Sequence, residues 1–128
     1  KMVGLEKDEK KLPANLSGGM RKRAGLARLL VYRPKILLYD EPTTGLDPIT
    51  SQQINELIVK TQEELQGTSI IVTHDIHSAL YVADRLALHQ DGKIAYVKPP
   101  REFLAIDDPT INYLKDTLYN HPSARNKL

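Results

Sequence analysis

The most informative pattern in the chain is a short apolar run that ends in two acids. Asp40 and Glu41 directly follow the run Ile36–Tyr39. A short apolar run of this kind predicts a fully buried strand within a parallel sheet. Ligands of open α/β sheets bind at the carboxyl ends of the strands. The pattern therefore predicts that both carboxylates lie at a ligand-binding edge, although a strand that ends in a solvated acidic turn is the alternative interpretation.

Helical periodicity flanks this strand on both sides. One helix is predicted from just after Ser17 to about Val31, and a second from about Ile49 to Leu65. Each helix therefore has an apolar face to bury. The predicted faces consist of Met20, Ala24, Leu26, Ala27, Leu29, Leu30 and Val31 in the first helix and Ile54, Leu57, Ile58 and Leu65 in the second.

A second β-branched run, Ser69–Thr73, predicts another buried strand. Strand, helix and strand at this spacing indicate a parallel crossover, so both strands should end at the same edge of the sheet. His74 and Asp75 then lie near Asp40 and Glu41. Two adjacent acids at a buried strand end are costly unless a positive charge accompanies them. A hydrated divalent cation beside Asp40 and a catalytic water facing Glu41 would meet that need.

The remaining pattern predicts a short helix, a hairpin and two further helices. Asp91-Gly92 between two apolar stretches is a strong signal for a tight hairpin turn. The predicted elements are a helix at Ile76–Ala83, strands at Arg85–His89 and Lys93–Val97, and helices at Arg101–Ala105 and Thr110–Thr117.

The last predicted helix carries an apolar stripe, formed by Ile111, Leu114 and Leu118. The helix is too short to be stable alone, so the stripe must be buried. It is predicted to pack either against the hairpin of its own chain or against a neighbouring subunit or regulatory partner. His121–Leu128 is predicted to be a loose polar tail, whose basic residues could meet an acidic surface or anionic headgroups.

Composition narrows the class of protein without identifying it. The chain has 128 residues, of which 41% are hydrophobic and 27% charged, as in ordinary globular domains. Its net charge of +2 argues neither for nor against nucleic acid. The absence of cysteine excludes disulfides and thiolate metal sites and fits a reducing compartment. No apolar run approaches the roughly 18 residues that span a bilayer, and no signal peptide is recognised at the start.

Leu16-Ser17-Gly18-Gly19-Met20 immediately precedes or begins the first predicted helix. A glycine-flanked helix start with free amide N–H groups favours anions, although a simple capped helix start is the alternative. Together with Ile36–Pro42, Thr44–Pro48 and Val72–Asp75, this segment stands in the order and spacing of an ABC ATPase. The four segments resemble the signature motif, the Walker B strand, the D-loop and the switch histidine of that family.

The resemblance covers nearly the whole chain and implies an α/β fold, the C-terminal part of a P-loop NTPase (ABC ATPase) domain. We expect a mainly parallel sheet flanked by helices, with a β-hairpin and short C-terminal helices. Residues 1–98 would form the C-terminal portion of the nucleotide-binding domain, and residues 99–128 a helical extension and tail. No Gly-x-x-x-x-Gly-Lys-Ser/Thr sequence is present, so we expect this chain alone to be inactive.

The resemblance also implies roles for individual residues, with ATP and Mg²⁺ as cofactors. Asp40 would orient Mg²⁺ through water, Glu41 would polarise the attacking water, and His74 would contact the γ-phosphate. Asp47 would bridge the two sites of a dimer. Ser17, Gly18 and Gly19 would cap the γ-phosphate held by the opposite subunit. The full set expected to bind the cofactor is Leu16, Ser17, Gly18, Gly19, Met20 and Asp47.

Thr43–Asp47 resembles the transporter branch of the family. Met20, Arg21–Arg28 and the downstream segments Pro100–Leu104 and Asp108-Pro109 look most like the Mla-type ATPases that move phospholipid or related lipids. Tyr39 departs from the usual aliphatic residue. The alternatives are an SMC-type or repair-type ATPase head lobe and a non-catalytic interaction module.

The resemblance implies a second ATPase subunit in a head-to-tail dimer and transmembrane permease subunits as partners, with substrate-binding or regulatory proteins as further ones. It places the protein in the cytoplasm, peripherally on the inner face of the cell membrane. Arg21-Lys22-Arg23 is interpreted as a solvated helix face or a steering charge near nucleotide, and nucleic acid is not expected as a partner.

Overall fold

The computed structural model describes residues 3–120, so the predicted tail at 121–128 lies outside the described residues. Two short 3₁₀ turns at Glu6–Asp8 and Pro13–Asn15 precede the helices and strands. They are α1 (Gly18–Val31), β1 (Ile36–Asp40), α2 (Pro48–Leu65), β2 (Thr68–Val72), α3 (Ile76–Val82), β3 (Leu86–Gln90), β4 (Lys93–Lys98), α4 (Pro100–Leu104) and α5 (Pro109–Asn120).

The contacts divide the chain into two compact units, Lys1–His74 and Asp75–Leu128. The division expected between residues 98 and 99 stays a prediction. The fold is mixed α/β, as predicted, and each unit contains one pair of strands. Among residues 3–120, no helix combines the length and the apolar character that crossing a membrane requires.

The first unit is a parallel strand–helix–strand arrangement. β1 and β2 are parallel and in register, from Ile36 opposite Thr68 to Asp40 opposite Val72. The helix between them, α2, buries Ile54 and neighbouring apolar residues. The predicted crossover is therefore confirmed, and both strands end at one edge.

The prediction that β1 is fully buried is wrong. Leu37 is 2% exposed, but Leu38 on the opposite face of the strand is 70% exposed. Ile70, in register with Leu38 on β2, is exposed as well. An apolar run cannot distinguish a strand covered on both faces from one covered on a single face. Tyr39 shares the buried face, and burial raises the pKa of its hydroxyl.

Helix α1 begins and ends where predicted. Its start is fixed by the N-cap Ser17, whose side-chain oxygen accepts the Met20 N–H at 3.2 Å. Its predicted apolar face is buried only in part. Leu26 is buried, whereas Leu29 and Val31 are exposed. The C-terminal turn of α1 therefore presents apolar side chains to solvent.

The link between α2 and β2 departs from the usual helix ending. The left-handed residue after α2 is Gln66, with φ 50°, rather than Gly67. Gly67 is required for a different reason, because a Cβ atom there would lie 2.8 Å from the carbonyl oxygen of Lys35. Close approach of two backbone segments, and not chain reversal, explains this glycine.

The second unit is organised around an antiparallel hairpin. β3 and β4 pair across a turn in which Asp91 and Gly92 both have positive φ, at 51° and 74°. That backbone is the one that a two-residue hairpin of type I′ requires. A register shift between Leu88 and His89 interrupts the ladder. The hairpin predicted from Asp91-Gly92 is confirmed.

The hairpin shares one core with the C-terminal helices. Leu86 and Leu88 of β3 form a buried cluster with Phe103 of α4 and Ile111 of α5. Ile111 is 0% exposed. One of the two predicted arrangements was packing of the α5 stripe against the hairpin of its own chain. It is confirmed at Ile111.

The two faces of β1 make a matched test of this burial. Leu37→Ala should lower the free energy of unfolding by about 2–5 kcal/mol, because it leaves a cavity in a buried site. Leu38→Ala, which alters the exposed face, should change it by about 0.5 kcal/mol or less. Urea unfolding of the two variants measures both values, and equal losses would contradict the one-sided burial.

Candidate functional site

The structure brings two of the predicted catalytic residues into contact at the shared edge of β1 and β2. Glu41 directly follows β1, and its N–H donates to the Val72 carbonyl oxygen at 2.9 Å. His74 lies two residues beyond Val72. Its Nδ1 is 2.8 Å from Glu41 Oε1, and its backbone N–H donates to the same oxygen at 3.2 Å.

Hydroxyl groups hold the other carboxylate oxygen of Glu41. Thr44 Oγ1 donates to Glu41 Oε2 at 2.7 Å, and Thr73 Oγ1 does so at 3.4 Å. The hydrogen bond with His74, and after it the one with Thr44, hold the pKa of Glu41 below its ordinary value of 4.5. Glu41 is therefore an ionised and oriented carboxylate at neutral pH, as a group that polarises water has to be.

The backbone of Glu41 is also constrained. Its φ of 45° lies in the left-handed region, which is unfavourable for a residue with a side chain. Lys22 reaches from α1 and donates from Nζ to the Glu41 carbonyl oxygen at 2.7 Å. The interpretation of the basic triplet as a solvated face or a steering charge does not include this contact. No local sequence signal indicates this contact, because it depends on how α1 packs beside β1.

Asp40 ends β1 and is exposed. Among residues 3–120, its carboxylate makes no hydrogen bond or ion pair, and no cluster of three His, Asp or Glu side chains is arranged to hold a metal ion. Mg²⁺ keeps several waters and binds through one or two carboxylates together with substrate phosphates. Asp40 fits one such water-mediated ligand, but it does not form a metal site by itself.

The signature segment is tightly packed onto the start of α2. A Cβ atom on Gly19 would lie 2.5 Å from Thr50 Cγ2, and one on Gly18 would lie 3.3 Å from Leu46 Cδ2. Both glycines therefore allow the first turn of α1 to approach the neighbouring loop and helix. The Leu16 carbonyl accepts a hydrogen bond from Arg21 Nη1 at 2.5 Å. Contact of Leu16–Met20 with a nucleotide stays a prediction.

Asp47 is the N-cap of α2. Its carboxylate accepts the Thr50 N–H at 3.0 Å and the Thr50 hydroxyl at 2.5 Å, and these bonds lower its pKa. Thr50 thus links Asp47 to the segment that packs on Gly19. Asp75 has a similar local role, since it is the N-cap of α3 and accepts the His77 N–H at 3.0 Å. The predicted role of Asp47 across a dimer stays a prediction.

The fold is mixed α/β, and the site lies at the shared edge of its parallel strand pair. The family model described as ABC transporter matches residues 1–44. The chain is 43% identical over 110 residues to the probable ribonucleotide transport ATP-binding protein mkl of Mycobacterium tuberculosis, and 39% identical over 115 residues to the glycine betaine/proline betaine transport system ATP-binding protein ProV of Escherichia coli. These alignments cover 86% and 90% of the chain. The chain belongs to the ABC transporter ATP-binding family.

Solved structures agree with this assignment. The ATP-binding cassette MJ0796, in a dimeric post-hydrolysis state bound to ADP and Pi, matches with a TM-score of 0.67 and 37% identity over 78% of this chain and 43% of that chain. The cbiO1 protein of Clostridium perfringens, part of the ABC transporter complex cbiONQ, matches with a TM-score of 0.75 and 34% identity over 98% of this chain and 49% of that chain. The predicted fold class is confirmed.

The chain spans only part of these relatives, 31% of mkl and 28% of ProV. The bicarbonate transport ATP-binding protein CmpD of Synechocystis, 36% identical over 132 residues, is covered to 47% of its length. The names of these proteins refer to ribonucleotides, betaines and bicarbonate. The predicted assignment to a lipid-transport branch is therefore not confirmed by them.

Two glycines of α1 provide a matched test of the packing. Gly19→Ala should lower the free energy of unfolding by about 1–3 kcal/mol, because its new methyl group overlaps Thr50. Gly25→Ala should raise it by about 0.5–1 kcal/mol, because a Cβ there meets nothing within 4 Å and alanine favours helix. Chemical unfolding measures both, and a stabilised Gly19→Ala variant would contradict the packing.

The contact between Glu41 and His74 predicts a pH effect. Because the pKa of Glu41 is depressed in the folded chain, ionised Glu41 stabilises the fold above its ordinary pKa of 4.5. That stability is lost as the pH falls through the folded-state pKa. His74→Ala should raise the pKa of Glu41 towards 4.5 and make this acid-induced loss smaller. Carbon-13 NMR of the Glu41 carboxyl measures the shift, with His89→Ala as the control. An unchanged pKa in His74→Ala would contradict the contact.

Proposed function

We propose that this chain is part of the ATP-binding and ATP-hydrolysing subunit of an ABC transporter. The observation that carries the proposal is the pairing of Glu41 with His74, at 2.8 Å, beside the exposed Asp40 at the edge of a parallel strand pair. Phosphoryl transfer needs positioned groups and charge neutralisation rather than covalent help from the protein. An oriented carboxylate, an imidazole and a second carboxylate meet that requirement.

Each residue then has a separate task. Glu41, ionised and held by Thr44 and His74, orients and polarises the attacking water. His74 lies within hydrogen-bond distance of Glu41 and is expected to contact the γ-phosphate. Asp40 is expected to hold Mg²⁺ through water. When bound, ATP with Mg²⁺ supplies the phosphoryl group and the charge that balances these acids.

The phosphate-binding loop of such a domain is expected from a further segment of a complete ATPase. Two observations support this. The chain has no Gly-x-x-x-x-Gly-Lys-Ser/Thr sequence, and it spans less than half the length of the relatives it matches. The exposed apolar face of β1 and β2 is a surface that such a segment would cover. We therefore expect the 128-residue chain by itself not to hydrolyse ATP.

The proposed assembly is a dimer of ATPase subunits bound to a permease. In it, Ser17–Gly19 faces the nucleotide of the partner subunit, and Asp47 lies between the two sites. The relatives support this arrangement, since one is dimeric and another is part of a transporter complex. The location is the cytoplasmic face of the membrane, through the permease. The proposed cargo is a phospholipid or related lipid. This is supported by the resemblance of Met20 and Arg21–Arg28 to the Mla-type lipid-transport ATPases.

The test is Glu41→Gln in the complete ATPase subunit that contains this chain. Turnover should fall by about 100-fold or more, because the water-polarising carboxylate is removed, while ATP binding persists and ATP-loaded dimers accumulate. Glu56→Gln, an exposed carboxylate on α2, is the matched control and should retain activity. Near-normal turnover by Glu41→Gln would contradict the role of Glu41. Steady turnover by the isolated chain, lost on Glu41→Gln, would contradict its expected inactivity.

A further inference from the structure

We propose that Lys22 is a positioning residue that fixes the backbone of Glu41 and so aims its carboxylate. The consequence for catalysis rests on the proposed ATPase function. The contact itself is a feature of this chain and can be tested without ATP. Lys22 belongs to α1, while Glu41 follows β1, so the interaction joins the helix that begins with the signature segment to the edge of the sheet.

The carbonyl group of Glu41 is the point of contact. Lys22 Nζ donates to this oxygen at 2.7 Å, and the lysine side chain is half-buried along its path. A hydrogen bond from an ammonium group is shorter and stronger than one between neutral groups. The other two members of the basic triplet make different contacts. Arg21 donates to the Leu16 carbonyl, and Arg23 lies next to Gly4.

The contact matters because the Glu41 backbone is strained. A φ of 45° persists in a residue with a side chain only where its surroundings over-determine it. The Glu41 N–H is held by Val72, and its carboxylate by Thr44 and His74. Its carbonyl oxygen accepts a short bond from Lys22 at 2.7 Å and a longer one from the Thr44 N–H at 3.4 Å. Without Lys22, this carbonyl keeps only the longer turn bond from Thr44. The backbone can then relax towards ordinary φ values, and the carboxylate moves away from His74.

Because Lys22 belongs to α1, the position of this helix also affects Glu41. The first turn of the same helix packs against Leu46 and Thr50 through Gly18 and Gly19. A helix moves as a rigid element, so a displacement of the signature turn also displaces Lys22. We infer that the orientation of Glu41 depends on the position of α1. The helix that would meet a partner's nucleotide therefore also holds the catalytic carboxylate of its own subunit.

The direct test measures the backbone of Glu41 in the 128-residue chain by NMR. Lys22→Met keeps the apolar stem and removes the donor, so the three-bond H^N–Hα coupling of Glu41 and the amide resonances of Glu41 and His74 should change. Lys22→Arg retains a cationic donor and should preserve them. Lys60→Met, an exposed lysine on α2, is the matched control. Lys22→Ala is a second variant without the donor, in case Lys22→Met does not fold.

The catalytic test uses the complete ATPase subunit. Lys22→Met should lower kcat by about 10-fold to 100-fold, as expected for a small displacement of a reacting group, with the KM for ATP changed by less than about twofold. Lys22→Arg should recover most of the loss, and Lys60→Met should match the wild type.

The two tests separate failure of this proposal from failure of the ATPase function. An unchanged Glu41 coupling in a folded Lys22→Met or Lys22→Ala chain overturns the positioning role, whatever the activity. Full kcat in Lys22→Met, when Glu41→Gln is inactive, overturns its catalytic consequence. If Glu41→Gln keeps full turnover, the proposed function fails, while the coupling measurement still decides whether Lys22 fixes the backbone.

Discussion

The parallel register of β1 and β2 is the constraint on which the site depends. Asp40 lies opposite Val72, and the next residue, Glu41, donates its N–H to the Val72 carbonyl. This bond extends the ladder one residue past the strand and brings the Glu41 carboxylate to His74. A slip of one residue would reverse the face of every side chain on one strand. The Glu41 carboxylate and the His74 imidazole would then separate, so the geometry of the site depends on the register of the two strands.

A second set of contacts gives the motif residues structural roles as well as predicted functional ones. Ser17 caps α1, Asp47 caps α2, and Gly19 allows the two helix starts to touch through Thr50. A substitution at any of these positions alters helix capping or packing before a nucleotide is bound. Loss of activity alone therefore cannot assign Ser17, Gly19 or Asp47 to the partner's site. The free energy of unfolding of each variant has to be measured together with its activity.

Local signals predicted the elements, and the crossover rule predicted that His74 approaches Glu41. The sequence could not show that Leu38 is exposed, because periodicity does not reveal how many faces of a strand are covered. Nor could it show that Lys22 binds the Glu41 carbonyl, because that bond depends on how α1 packs beside β1. Nor could it show that Gly67 is required by close approach to the Lys35 carbonyl oxygen. The features that were not predicted all depend on tertiary packing, whereas the predicted features follow from local sequence or from chain topology.

The exposed face of the parallel strand pair and the site around Glu41 belong to the same two strands. Leu38 and Ile70 lie exposed on that face, each two residues before Asp40 and Val72 at the site edge. Burying a large aliphatic side chain contributes about 1.5–3 kcal/mol, so the segment that is proposed to cover this face would gain binding free energy there. It would then also lie beside Asp40. Hydrophobic burial on one face of the sheet and completion of a nucleotide site at its edge are therefore expected to occur together.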